Sequence, residues 1–247
     1  MRVLFVILLG MTFTSGIAAD IQPIGSIGQP YPEQNDAFLP DGTILRVLMN
    51  RIEIVNPNTN EIIAQFAERT KMGDVTISSD GLWIAITTHR WTSASNLVEI
   101  WDIATQKRVR EWETSSYLSL LTFSPTAPLL ATSSRADIDL WNWDTGEHLG
   151  KMEGERRPTQ VCYQRGGGQT CSGGAGNLSL AFSPDGRYLV VGSKRPDSEI
   201  WDVPTRQLVG HLEGHRDWVK VVSYSQFQNI LPSVETVRCY SRVMKWG

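Results

Sequence analysis

Short apolar runs separated by polar turns recur along the chain from about residue 37, the pattern of strands joined by tight connections. The stretch from 178 shows it most clearly. Residues 178–182 alternate apolar and small positions and end in Pro184-Asp185-Gly186, a turn in which glycine can take positive φ. Residues 188–192 are continuously apolar, as in a strand buried on both faces. A third strand is predicted at 199–203 and a fourth at 208–212. The polar turns joining the last two strands of each unit are Asp-Ile-Ala-Thr-Gln-Lys, Asp-Thr-Gly-Glu and Asp-Val-Pro-Thr-Arg.

The same four-strand pattern repeats. IEIVNPNTNE at 52, VEIWDIATQK at 98, IDLWNWDTGE at 138 and SEIWDVPTRQ at 198 share a register at Val55, Trp101, Trp141 and Trp201, with Trp246 beyond. A second motif precedes each: AFLPDG at 37, TISSDG at 76, TFSPTA at 122, AFSPDG at 181 and a degenerate SYSQFQ at 223. Both motifs keep a period of about 45 residues, with one insertion of roughly 15–20 falling between the same pair of units. The units span about 37–72, 73–113, 117–153, 178–213 and 217–247, and a Gly-rich insertion occupies 154–177. One four-stranded sheet of this size cannot bury both its faces, so neighbouring sheets must stack on it, and radial stacking is the closed solution. The expected fold is all-β, a β-propeller of about five four-stranded blades.

At Trp101-Asp102, Trp201-Asp202, the FSPDG at 182 and Gly214-His215, the chain resembles the WD-repeat family of β-propellers over about 37–247. The resemblance is closest around Trp101, Trp141 and Trp201 and looser in the first unit, where Val55-Asn56 replaces Trp-Asp. It implies a hydrogen-bonded set in each unit: a His in the preceding loop, a Ser or Thr in the second strand, an Asp in the second turn, and the Trp. Arg135 and Arg195 fall where that Asp belongs, and only His215 matches the loop histidine. The blades are therefore expected to be held mainly by apolar packing. Trp101, Asp102, Trp141, Trp201, Asp202 and His215 are the repeat's structural residues. Five blades is fewer than the family's usual seven, which leaves a small ring or a fragment of a longer one. Residues 21–27 are a candidate closing strand.

The start of the chain has a different character. Arg2, an apolar run over 3–9 and the small residues Ser15, Gly16, Ala18 and Ala19 have the order of a secretory signal peptide over 1–19, followed by the propeller from 20 to 247. The run is too short for a spanning helix, although an uncleaved anchor is the alternative. No membrane span is expected in the mature chain, which is predicted to be secreted or periplasmic. Export places the cysteines in an oxidising compartment, where Cys162 and Cys171 either pair or stay free thiols, with Cys239 left over.

The 247 residues are about 47% apolar once Tyr is set aside and Gly added, in the globular range. With 23 Lys and Arg against 26 Asp and Glu, the net charge is −3, so no global basic field attracts nucleic acid, and none is expected as a partner. Candidate chemistry is sparse. His211 and His215 lack the helix and adjacent Glu of a metalloprotease pair, the glycines at 166–168 and 173–176 lack the Lys-Ser/Thr of a phosphate-binding loop and read as flexible loop, and no Gly-x-Ser-x-Gly occurs. Asn177-Leu178-Ser179 matches a glycosylation acceptor but opens a predicted strand. Asp102, Asp144, Asp185 and Asp202 occupy equivalent turns and serve turn formation. Neither cofactor nor metal is expected.

In a propeller, loops between blades and loops between a blade's second and third strands emerge on one face. That face is expected to gather Arg90, Trp91, Arg135, Arg156, Arg157, Tyr163, Arg165, Lys194, Arg195, Arg216 and Trp218, and the opposite rim Asp41, Asp80, Asp102, Asp144, Asp185 and Asp202. An Arg- and aromatic-rich surface suits carboxylate, phosphate or sugar-acid groups. The reading is an exported, non-catalytic interaction scaffold with a protein or peptide partner, or an anionic glycan. The alternatives are a propeller hydrolase or lyase with a central-channel site, and a structural remnant without a partner.

Overall fold

The computed structural model of the chain describes residues 35–68, 72–89, 96–114, 118–134, 137–152, 160–165, 168–173, 176–195, 197–215, 218–224 and 237–240. Blade 1 comprises β1 (Asn35–Phe38), β2 (Ile44–Val47), β3 (Ile52–Val55) and β4 (Ile62–Phe66); blade 2 comprises β5 (Met72–Ile77), β6 (Trp83–His89), β7 (Asn96–Asp102) and β8 (Lys107–Thr114). Blade 3 follows with β9 (Leu120–Phe123), β10 (Leu129–Ser134), β11 (Asp137–Asn142) and β12 (Glu147–Lys151). A two-stranded hairpin, β13 (Gln160–Arg165) and β14 (Gly168–Gly173), precedes blade 4, which is β15 (Asn177–Phe182), β16 (Tyr188–Ser193), β17 (Ser198–Asp202) and β18 (Gln207–Leu212). β19 (Val221–Tyr224) and β20 (Val237–Tyr240) pair as the described part of a fifth unit. Each four-stranded sheet is an antiparallel meander in chain order.

The first strands of successive units lie side by side, β5 next to β9, β9 next to β15 and β15 next to β19, as the inner strands of radially arranged blades must. Between each pair of blades lies one apolar layer. In β6, Ile84 and Ile86 pack towards blade 1 while Ala85 packs towards blade 3. In β16, Leu189 and Val191 face blade 3 and Val190 faces the fifth unit. That two-sided burial is why these second strands are continuously apolar. Aromatic pairs bridge the same layers: Phe66 with Trp101 at 5.9 Å, Trp83 with Trp143 at 5.3 Å and Trp112 with Trp141 at 5.6 Å.

Turn chemistry repeats with the blades. Gly42, Gly81 and Gly186 take φ of 84°, 70° and 71° in the first turn, the conformation that turn demands. Beside them the Asp80 and Asp185 carboxylates accept from the Ser78 and Ser183 hydroxyls and from the backbone amides of Leu82 and Arg187. The Ser183 hydroxyl, first among these, holds the Asp185 carboxyl below its ordinary range. In all four blades the ladder between third and fourth strands slips just before the register residue, at Ile54/Val55, Ile100/Trp101, Leu140/Trp141 and Ile200/Trp201. This shared β-bulge twists the outer edge of each sheet in the same way.

One expectation changes. The insertion around the glycines at 166–168 is not simply loop: Gly168 opens β14 and Gly173 closes it. Among the described residues the fifth unit shows two strands, β19 and β20, and the rest of its span lies outside them. The candidate signal peptide, the strand at 21–27 and Trp246 lie outside the described residues.

Candidate functional site

Each third strand carries a buried acid two positions before the register residue: Glu53, Glu99, Asp139 and Glu199, none more than 8% exposed. All four are matched by a cation or a histidine. Arg51 Nε meets Glu53 Oε1 at 2.8 Å, Arg108 Nη1 meets Glu99 Oε1 at 2.9 Å, His148 Nε2 meets Asp139 Oδ1 at 2.7 Å, and Arg195 Nη1 meets Glu199 Oε1 at 3.2 Å. In blades 2 and 4 the acid's second oxygen accepts from the tryptophan, Trp101 Nε1 to Glu99 Oε2 at 3.1 Å and Trp201 Nε1 to Glu199 Oε2 at 3.2 Å. In blade 3 Trp141 Nε1 donates to Thr132 Oγ1 on the second strand at 3.0 Å, one bond of the set the family resemblance implies.

These buried ion pairs and indole bonds add to the apolar packing expected to hold the blades. A buried carboxylate needs a partner to remain ionised in the interior, and every blade supplies one locally. The acids were visible in the repeat (IEIV, VEIW, IDLW, SEIW) as the only charged position recurring on the third strand before its last residue. Asp102 and Asp202 cap the following turn, accepting from the amides of Thr105 and Thr205 at 3.0 Å. The Thr205 amide, then its hydroxyl, holds the Asp202 carboxyl below its ordinary range. His215 is half-buried behind Gly214, whose φ is 121°.

Part of the predicted basic face is brought together. Antiparallel pairing of β15 with β16 puts the start of one beside the end of the other, so Lys194 N donates to Gly176 O, at the exit of the insertion, at 3.1 Å. Val219 N, on the connection into the fifth unit, donates to Ser193 O at 3.0 Å and Arg195 O at 3.1 Å. Above this junction the Lys194 ammonium lies 5.6 Å from the centroid of the half-buried Trp218 ring, within cation–π range. Arg195 does not belong to the surface set: it is 4% exposed and committed to Glu199. Tyr163 and Arg165 lie on β13, in register with Thr170 and Gly168. Arg90, Trp91, Arg135, Arg156, Arg157 and Arg216 lie outside the described residues.

One acid near the axis went unrecognised in the sequence. Asp74 sits at a register shift in β5, and its Oδ2 accepts from Leu121 N on the neighbouring inner strand at 2.6 Å, tying blade 2 to blade 3. It keeps some contact with solvent, yet dense surrounding protein pushes its carboxyl up to about 7 against the lowering effect of the Leu121 and Val75 amides. Among the described residues no group of three or more His, Cys, Asp and Glu is placed to hold a metal ion, and no helix is long and apolar enough to cross a membrane.

Four meander sheets stacked through shared apolar layers, each with a bulge before a tryptophan or valine at one register, define a repeat-built β-propeller. The WD domain, G-beta repeat family matches residues 168–202, from β14 through β17. Over 54 residues the chain is 33% identical to the UBP9-binding protein bun62 of Schizosaccharomyces pombe, which is 22% of this chain and 10% of that protein. Over 48 residues it is 44% identical to the U3 snoRNP-associated protein-like YAO of Arabidopsis thaliana, 19% of this chain and again 10% of the relative. These matches thus span about a tenth of each relative's length. A chain in the crystal structure of the mitotic checkpoint complex has the same fold, with a TM-score of 0.58 and 16% identity over 92% of this chain and 66% of that one. The chain has a β-propeller fold, and one stretch of it, residues 168–202, carries the WD, G-beta repeat pattern.

Proposed function

We propose that the chain is an exported, non-catalytic scaffold that grips a protein or peptide partner through the basic, aromatic-bearing face around Lys194, Trp218 and the 154–177 insertion. WD-repeat propellers in general bind protein partners and act without catalysis. The observation that supports this surface is the junction itself: a lysine ammonium over an indole ring, at the point where the insertion leaves and the fifth unit begins. Such a pair offers an acidic peptide a charge and an apolar platform together. Arg156 and Arg157 fall within the insertion in the sequence and give it two further positive charges. Residues 1–19 supply the export signal.

The test uses mature chain beginning near Asp20 and partners captured from the native envelope fraction. The paired changes Lys194→Glu with Trp218→Ala, and Arg156→Glu with Arg157→Glu, are each expected to reduce capture by about tenfold or more, about 1.4 kcal/mol, with unchanged melting. Asp144→Lys, on an exposed turn of the opposite rim, is expected to leave capture intact. Full capture by both paired variants would overturn the basic-face site. Heparin-type polyanion competing as well as the captured protein would shift the reading to an anionic glycan. Fractionation of the full chain beside one lacking residues 1–19 tests export: both remaining inside the cell would remove that part.

A further inference from the structure

Cys162 stands directly opposite Cys171 in the β13–β14 ladder, flanked by Val161 opposite Ser172 and Tyr163 opposite Thr170. Directly opposed residues of an antiparallel pair share a face, with Cα atoms about 4.5 or 5.5 Å apart according to the hydrogen-bonding pattern. Both separations fall within the roughly 4.4–6.8 Å that a disulfide spans. Three cysteines allow three pairings, and the ladder singles out one: Cys239 lies on β20, opposite Val222, in another sheet.

A second observation concerns what else could hold this hairpin. β13 and β14 pair only with each other among the described strands, and β14 reads Gly-Gln-Thr-Cys-Ser-Gly, with no large apolar residue. Two-stranded hairpins are marginal in water on their own, and glycine at both ends of a strand weakens it further.

We infer that Cys162 and Cys171 form an intramolecular disulfide that staples the hairpin inserted ahead of blade 4. The oxidant is a disulfide, either oxidised glutathione or the active-site disulfide of a thiol oxidoreductase. One cysteine thiolate attacks a sulfur of the donor, giving a mixed disulfide and one donor thiol. The second cysteine's thiolate then displaces the other donor thiol and closes the bridge. Two protein thiols are oxidised, one donor disulfide is reduced to two thiols, and the protein loses two hydrogens. The staple fixes the pairing of β13 with β14, whether or not the surface at Lys194 binds a partner.

The test is performed on purified full-length chain, reduced and then equilibrated folded with oxidised glutathione, alkylated and digested with trypsin. Arg165 separates the two cysteines, so the expected product is peptide 157–165 linked to peptide 166–187, with Cys239 alkylated. Alkylated Cys162 and Cys171, a stable glutathione adduct on either, or a link to Cys239 would overturn the inference. The folded chain is also expected to keep the bridge at a ratio of reduced to oxidised glutathione about tenfold higher than the chain in urea, because the ladder already sets the two residues opposite one another. Equal ratios would show that the fold does not preset the bond. Cys239→Ser is expected to give the same linked peptides.

Discussion

Arg195 and Glu199 form an ion pair inside blade 4, Nη1 to Oε1 at 3.2 Å, with both side chains only 5% exposed. Glu199 also accepts from the indole of Trp201, which is fully buried, so one carboxylate organises the turn before the third strand and the tryptophan within it. Removing Glu199 leaves an uncompensated cation in the interior. Glu199→Ala is expected to cost about 3–5 kcal/mol in urea unfolding. The double change Arg195→Met with Glu199→Leu is expected to recover most of that loss, since replacing both charges by apolar groups is often close to neutral. A double variant as unstable as Glu199→Ala would show that the indole bond, not the stranded charge, carries the effect. Arg195→Glu places two acids together and is expected to unfold the blade, so it is no probe of partner binding.

Asp74 gives the fold a pH dependence of a particular sign. Its carboxyl rises from 3.8 to about 7 on folding, chiefly through burial, so between these values the folded chain holds a proton that the unfolded chain has released. The stabilisation is complete below about 4 and is lost as pH rises through about 7. The melting temperature of the wild type is expected to fall between about pH 4 and pH 7, and Asp74→Asn to flatten that fall. A variant with the wild-type slope would assign the dependence to another group.

Gly192 lies where blade 4 meets the fifth unit with no room for a side chain. A Cβ there would stand 2.6 Å from Ser179 Oγ and 2.7 Å from Val219 O, and the second neighbour is backbone. Gly192→Ala is expected to cost about 1–3 kcal/mol, as overpacking does. Thermal unfolding reads it directly; a loss below about 0.5 kcal/mol would mean that the connection carrying Val219 yields freely.

The triplet Asn177-Leu178-Ser179 is closed to modification by its place in the fold. Asn177 is buried, and its Nδ2 donates to Ser133 Oγ on blade 3 at 2.7 Å. Expressed through a glycosylating secretory route, the chain is expected to carry no glycan there, as intact mass would show. Occupancy at Asn177 would mean that glycan transfer precedes the stacking of blades 3 and 4.

Blade 4 shows how far local pattern reaches. The strands predicted at 178–182, 188–192, 199–203 and 208–212 differ from the observed ones by a residue at most, because alternation, the Pro-Asp-Gly turn and the polar turn after Trp201 each act over a few positions. The two-faced burial of Val190 between Leu189 and Val191 was equally legible, since a strand with both faces covered has no polar side. Arg195 was misplaced by the same local logic. A cation in a turn is usually solvated, and nothing within the turn announces that Glu199, four positions on, turns it inward. The repeated acids at 53, 99, 139 and 199 were in view but carried no meaning until their partners were known, two of them, Arg108 and His148, on the adjoining fourth strand. Asp74 had no signal of its own, because its surroundings come from Leu121, on another blade.

From residues alone came the repeat, its period near 45, the strand and turn order within each unit, and the need for sheets to stack: all follow from hydrogen-bonding period and turn sterics, which operate between near neighbours. Which charges lie inside, which cysteines stand opposite one another and which loops share a junction depended on chain segments tens of residues apart meeting across a blade or between blades. Burial and pairing are properties of those meetings, so only the assembled sheets could settle that Lys194 reaches Trp218 while its neighbour Arg195 is spent within the core.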